Sequence, residues 1–165
     1  MAACPVWAID ETQTRLALSE QAARGEEGKV MKVFPQYLDM DGRHTLSPSL
    51  FARDGYQYYL RQRPKERSGL RVAVQWKFKG SDNNINLLLR VEMRGVKGNT
   101  MRTKTLEKPA VKNGWFSNWT QVRLTGAEYV DFGELVSWRV SLWDGPKELS
   151  TQQSFLWDGV PPPAN

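Results

Sequence analysis

The segment from Leu70 to Lys79 constrains the fold more than any other part of this chain. Leu70, Val72, Val74, Trp76 and Phe78 alternate with Arg71, Ala73, Gln75, Lys77 and Lys79, the period-two pattern of a strand that buries one face. Ile85, Leu87, Leu89, Val91 and Met93 alternate in the same way with Asn86, Leu88, Arg90, Glu92 and Arg94, and Gly80-Ser81-Asp82-Asn83 between the two runs is turn chemistry. In an antiparallel hairpin the numbers of paired residues have a constant sum. A loop of four residues pairs Phe78 with Ile85, Trp76 with Leu87 and Val74 with Leu89, so both apolar sets share a face, whereas a loop of five divides them. The spacing therefore predicts a hairpin over 70–93. A second hairpin is predicted from Val136, Trp138, Val140 and Leu142, the turn Asp144-Gly145-Pro146-Lys147, and Leu149, Phe155 and Trp157. Pairing Trp143 with Glu148 sets Leu142 opposite Leu149, Trp138 opposite Gln153 and Val136 opposite Phe155. Ser137, Arg139, Ser141, Ser150 and Gln152 then fall on a face expected to be wet.

Lys29 to Leu38, Thr100 to Leu106 and Trp119 to Leu124 read as further strands. Ser47-Pro48 has the form of an N-cap with proline at the first helical position, opening a helix whose Leu50, Phe51, Tyr58, Tyr59 and Leu60 pack on one side until Pro64 stops it. Thr125-Gly126-Ala127-Glu128 is a capping-box pattern that opens a second helix through Tyr129 and Phe132, closed by Gly133. Strands in hairpins with helices only as connections point to an all-β fold: an antiparallel β-sandwich, immunoglobulin-like or jelly-roll-like, of six to seven strands with two short helical connections. A partly open barrel is the alternative. The expected organisation is an N-terminal tether or arm over 1–28, the sandwich over 29–157 and a proline-rich tail over 158–165.

Seven Trp stand against one His and one Cys. That scarcity leaves no Cys/His metal site, no disulfide framework and no pair of catalytic histidines. Walker, dinucleotide and G-x-S-x-G patterns are missing as well. The expectation is a protein without cofactor, metal or catalytic set, a binding or accessory domain and not an enzyme. An enzyme using Asp39, Asp41 or Glu128 is the remote reading, and Asp39-Met40-Asp41-Gly42 falls short of a calcium loop because Leu50 stands where its twelfth-position Glu belongs. His44 reads as a surface residue with no nucleophile beside it.

Register parity sorts the tryptophans: Trp76, Trp138 and Trp157 fall with the core, and Trp143 faces outward near Arg139. Trp115, Phe116 and Trp119 crowd a Gly- and Asn-containing segment. Exposed aromatic rings beside polar groups suit a sugar face or another stacking partner, so Trp115, Phe116, Trp119, Trp143 and Arg139 are the candidate ligand-binding residues for a protein or glycan; the alternative for the loop aromatics is that they plug one end of the core. Between Arg53 and Lys112 lie 15 basic and 5 acidic residues, while the rest of the chain has 8 and 13. Arg61, Arg63, Lys65 and Arg67, just beyond Tyr56, Tyr58 and Tyr59, form its densest basic and aromatic surface. The second functional reading is accordingly a nucleic-acid-binding module. Asn118-Trp119-Thr120 also matches the N-glycosylation pattern.

No run approaches the ~18 apolar residues of a membrane span. Met1-Ala2-Ala3-Cys4 resembles the end of a bacterial lipoprotein signal, in which small residues precede the lipidated cysteine, although the basic and apolar stretches of such a signal are not found before it. The resemblance implies a lipid anchor at Cys4 as the sole membrane contact, and a place in the cell envelope or periplasm, with the cytoplasm as the alternative. Oligomeric state leaves no signature in the sequence.

Overall fold

A computed structural model describes residues 28–80, 86–114 and 116–159. The described elements are β1 (Gly28–Asp39), α1 (Leu50–Gln62), a 3₁₀ turn (Pro64–Glu66), β2 (Arg67–Phe78), β3 (Leu87–Lys97), β4 (Thr100–Pro109), β5 (Asn118–Thr125), α2 (Gly126–Phe132), β6 (Glu134–Asp144) and β7 (Lys147–Gln153). They form two antiparallel sheets, β1-β2-β5 and β4-β3-β6-β7, so the chain is a mostly-β protein with two sheets packed on one core. Residues 1–27, with Cys4 and nearly all of the expected arm, lie outside the described residues, as do Trp115 and the tail from 160 onward.

The alternating residues behave as their period requires. Leu70, Val72, Val74 and Trp76 of β2 are fully buried against Leu89, Val91 and Met93 of β3 and Val140 and Leu142 of β6. Trp76, the largest of them, brings a polar nitrogen into this core, and its Nε1–H donates to Thr120 Oγ1 at 2.9 Å. Burying an indole N–H without an acceptor would offset part of what its area contributes.

The expected hairpin over 70–93 does not form. β2 pairs with β1 and β5, and β3 with β4 and β6, so the two strands belong to opposite sheets. Trp76 lies opposite Val30 and Asn118 and not opposite Leu87. Parity is satisfied for another reason: strands facing each other across a core also turn both apolar sets to the same interior.

In the second hairpin Asp144 pairs with Lys147 and Trp143 with Glu148, as expected. A β-bulge then shifts the register, so that Leu142 faces Ser150 and Arg139 faces Gln153. One extra residue in a strand reverses the facing of the residues beyond it. β7 ends at Gln153, and Phe155, expected in the core, is 98% exposed. Trp157 is buried outside the core cluster, with the Arg94 guanidinium 3.9 Å from its ring centre and bonded to its carbonyl. Trp138 is half-buried against the core. Ser137 and Ser141, expected to be wet, are buried.

Helix α1 starts at Leu50 behind Ser49, two residues later than the Ser47-Pro48 signal, and buries Gln57 and Leu60 while Leu50, Phe51, Tyr58 and Tyr59 stay exposed. It lies against the end of β1, with Leu60 in the core cluster and Tyr56 packed against it. α2 occupies its expected place with Gly133 at φ 81° as its cap, but Thr125 makes no side-chain cap and Glu128 binds Lys104 at 2.7 Å instead of closing a capping box.

Replacing Thr120 with Val should cost about 1–3 kcal/mol, because it strands the Trp76 N–H in a dry core. Combined with Trp76→Phe, the added cost of Thr120→Val should fall toward zero. Urea unfolding of the two single variants and the double variant measures this coupling.

Candidate functional site

The outer face of β1-β2-β5 is a small grid set by strand register. Lys32, Gln75 and Trp119 stand in one row, Phe34, Ala73 and Gln121 in the next, and Gln36, Arg71 and Arg123 in the third. The bulge between Val30 and Lys32 makes this possible, because it keeps Val30 and Val33 on the core side while turning Phe34 and Gln36 outward. Ala73 is the smallest side chain and stands at the centre. The Phe34 and Trp119 rings approach each other at this dimple, with centroids 6.0 Å apart and planes at 21°.

Helix α1 and the turn before it supply the remaining wall. The Gln57 carboxamide replaces a neighbouring strand at the edge of β1: its Oε1 accepts from Tyr37 N–H at 2.8 Å and its Nε2 donates to Tyr37 C=O at 3.0 Å and to His44 C=O at 2.8 Å. One turn earlier on the helix, Arg53 sits 5.5 Å from the Phe34 ring centre. The turn over 39–43 is held by Asp39, whose carboxylate accepts from the backbone N–H of Asp41 and Arg43, from Arg43 Nε and, at 2.6 Å, from the Tyr56 hydroxyl. Burial alone would raise the Asp39 pKa, but the bonds from Tyr56 and Arg43 outweigh it and leave it below the usual aspartate value. This stretch is a structural turn whose acidic oxygens are already engaged.

These pieces enclose a cleft of about 230 Å³ lined by Phe34, Gln36, His44, Arg53, Arg71, Ala73, Trp119 and Gln121. Among the described residues no carboxylate lines it. Arg53 is paired with Asp54 at 2.9 Å, whereas Arg71 makes no ion pair among the described residues. Arg71 is only 8% exposed, its Nε–H lacks an acceptor among the described residues, and it stands directly opposite Arg123 on β5. Like charges in register across two strands are destabilising, and burial together with Arg123 pushes the Arg71 pKa down. His44 is pushed down too, by burial first and then by Arg71, Arg123 and Arg53, so it is neutral at pH 7. The cleft is therefore a cationic floor under an aromatic rim, with amide groups at its sides.

The ligand residues expected from the sequence do not share one surface. Trp119 is 52% exposed at the cleft rim, and Phe116 is almost wholly exposed on the loop before β5. Neither plugs the core. That loop is pinned by Asn118 Oδ1, which accepts from Asn113 and Gly114 N–H at 2.7 Å each; Asn118 is buried, so the glycosylation pattern falls on a closed side chain. Trp143 and Arg139 stand on the outer face of the other sheet, where their own neighbours hold them: Arg90 lies 4.8 Å from the Trp143 ring centre, and Arg139 sits between Glu92 and Glu148 at 3.9 and 3.7 Å. In the basic group, Arg67 is a correction. Its side chain is 1% exposed, bonded to Glu134 at 2.6 Å and to the Leu60 and Arg61 carbonyls that end α1. Arg61, Arg63 and Lys65 remain at the surface, with Arg63 stacked 4.0 Å from the Tyr59 ring centre and 3.6 Å from Glu66.

A larger hollow of about 1000 Å³ opens between β4 and α2, but the charged groups in it bind each other, Lys104 with Glu128 and Arg102 with Asp131. The smaller cleft is the better site because its charge is unanswered. Sequence reasoning does not mark Phe34, Gln36, His44, Arg53 or Arg71 as site residues. The signal available for them is a basic residue and an alanine on successive outward positions of an otherwise well-covered strand. No family model matches the chain, and no curated protein or solved structure compared with it does so either.

Replacing Arg71 with Met should raise the unfolding free energy by roughly 0.5–2 kcal/mol, since it relieves a desolvated cation facing another, and the gain should shrink as salt screens Arg123. Because His44 is the single histidine, its imidazole titration is read directly by NMR and should fall below the ordinary 6.5. The unfolded chain then binds the proton more readily, so stability is lost as pH drops from the unfolded pKa toward the folded one. Chemical unfolding at pH 7.5 and pH 5 should show the wild type losing more stability than His44→Asn.

Proposed function

We propose that this chain is a non-catalytic β-sandwich binding domain of the immunoglobulin-like kind, which recognises a glycan or protein partner at the Phe34–Trp119 cleft. The immunoglobulin-like assignment is supported by strand order. In the constant-type immunoglobulin sandwich the first, second, fifth and fourth strands make one sheet and the third, sixth and seventh the other. Here β1-β2-β5 and β3-β6-β7 keep those neighbours, and only β4 differs by pairing with β3.

The observation that carries the binding reading is the combination at one place of a half-exposed indole, stacked on a second ring, with a buried arginine whose Nε–H has no acceptor among the described residues. Folding alone gives no reason to keep an unanswered charge on the central strand of a sheet, whereas a bound partner would supply its acceptor. The small residues before Cys4 support a lipid-anchored accessory protein of the cell envelope.

Partners retained by the full chain on glycan and peptide arrays should bind at least tenfold more weakly to Trp119→Ala, while its amide spectrum shows the fold unchanged. A partner set held equally well by wild type and Trp119→Ala would remove the cleft from the reading.

A further inference from the structure

Resting on the binding reading above, we infer that the cleft takes a carboxylate-bearing sugar residue of the uronate type, with the carboxylate toward Arg71 and a face of the ring against Trp119. Arg71 is the first reason. A guanidinium donates planar pairs of hydrogen bonds that match a carboxylate, and this one lacks both an acceptor for Nε and an ion pair among the described residues. Arg53 lines the same cleft and Arg123 faces Arg71 across the strands, so the local field favours an anion, with no described acid lining the cleft to compete.

The rim is the second reason. Trp119 and Phe34 offer a flat apolar surface, against which the C–H face of a pyranose ring packs while its hydroxyls need partners to the side. Gln36 of β1 and Gln121 of β5 stand on the two strands that flank the floor and provide amides for those hydroxyls. Size agrees with a single ring: about 230 Å³ is below the ~300–1,000 Å³ of pockets that bury drug-sized ligands.

An acidic peptide fits less well. An extended peptide that binds by adding a strand needs a free sheet edge, and beside this cleft each edge strand has a backbone position already taken by a side chain. Gln57 fills the hydrogen-bonding positions of Tyr37 on β1, and Lys108 Nζ donates to Gln121 C=O on β5 at 2.9 Å. The cleft opens on a sheet face, which suits a side-on ring.

The test is an NMR titration of the full chain with methyl β-D-glucuronide, with methyl β-D-glucoside and N-acetylglutamate as the neutral sugar and the non-sugar carboxylate. The glucuronide should shift the Trp119 indole resonance and raise the pKa of His44, since an anion nearby favours its protonated form. The other two compounds should bind at least tenfold more weakly. Arg71→Gln should lower glucuronide affinity at least tenfold, and Ala73→Leu, which fills the dimple while keeping every cation, should do the same. Equal binding of the glucoside would overturn the role of charge, and equal binding of N-acetylglutamate would transfer the site to acidic protein side chains. A glucuronide that leaves both Trp119 and His44 unmoved would also overturn the inference. In all three cases the binding-domain reading stands, because it falls only if partner binding ignores Trp119.

Discussion

Strand β2 is hydrogen-bonded along both edges, to β1 and to β5, and most of its residues are buried whichever face they occupy. Each of its positions must therefore fit a closed environment, and the rest of the molecule is arranged around the two solutions. On one face Leu70, Val72, Val74 and Trp76 fill the core, with Thr120 of the neighbouring strand answering the one polar atom that Trp76 introduces. On the other, Arg71 and Ala73 become the floor of the cleft. A central strand is the most rigidly held backbone a sheet can offer, which suits a recognition group that must not relax toward solvent. The same rigidity prevents Arg71 from moving away from Arg123.

Much of the architecture was legible because burial imposes a period. The strands from β1 to β7, the two helices and the glycine that ends α2 all stand close to where alternation and capping chemistry put them. What could not be read was which strand lies beside which. Parity tells a residue to face inward, and inward is the same direction for a hairpin partner and for a strand across the core. The pairing of β2 with β5 joins Gly69 to Thr125 and Trp76 to Asn118 across dozens of residues, and no local pattern encodes such a register. Bulges evade local reading for a similar reason. The register shift beside Trp143 has no local signature, and the exposed Phe155, in the turn after β7 ends at Gln153, runs against hydrophobicity.

The cleft was less legible than the fold because it is assembled from non-neighbours. Phe34 comes from β1, Arg53 from α1, Arg71 from β2 and Trp119 from β5, and His44 is carried in by a turn that Asp39 and Gln57 hold. Of these, Trp119 alone is visible in the sequence, since an aromatic at an outward position of a strand is conspicuous by itself. Trp143 carries the same signal and leads elsewhere, because parity cannot distinguish an outer face that is open from one already covered by Arg90. His44 has no nucleophile or metal ligand beside it in sequence. Its relevance comes from three arginines that approach it from three different elements.

Charge makes the strongest case that the cleft is more than an accident of packing. The basic excess between Arg53 and Lys112 looks like a binding surface in sequence, yet folding cancels much of it. Acids from α2 and the start of β6 meet bases from β2, β3 and β4: Glu128 meets Lys104, Asp131 meets Lys97 and Arg102, and Glu134 meets Arg67. Exposed pairs such as Glu128 with Lys104 add little stability, but together these contacts set an acid beside four of the fifteen bases of that stretch. Against that background Arg71 is an exception, a buried guanidinium in register with another arginine, in a cleft that no described carboxylate lines. An apolar residue at position 71 would serve the fold better, as the neighbouring Ala73 shows by sitting buried on the same face at no electrostatic cost. On the proposed binding role, a destabilising charge kept on the central strand of a sheet has its reason in what would enter the cleft and not in what surrounds it.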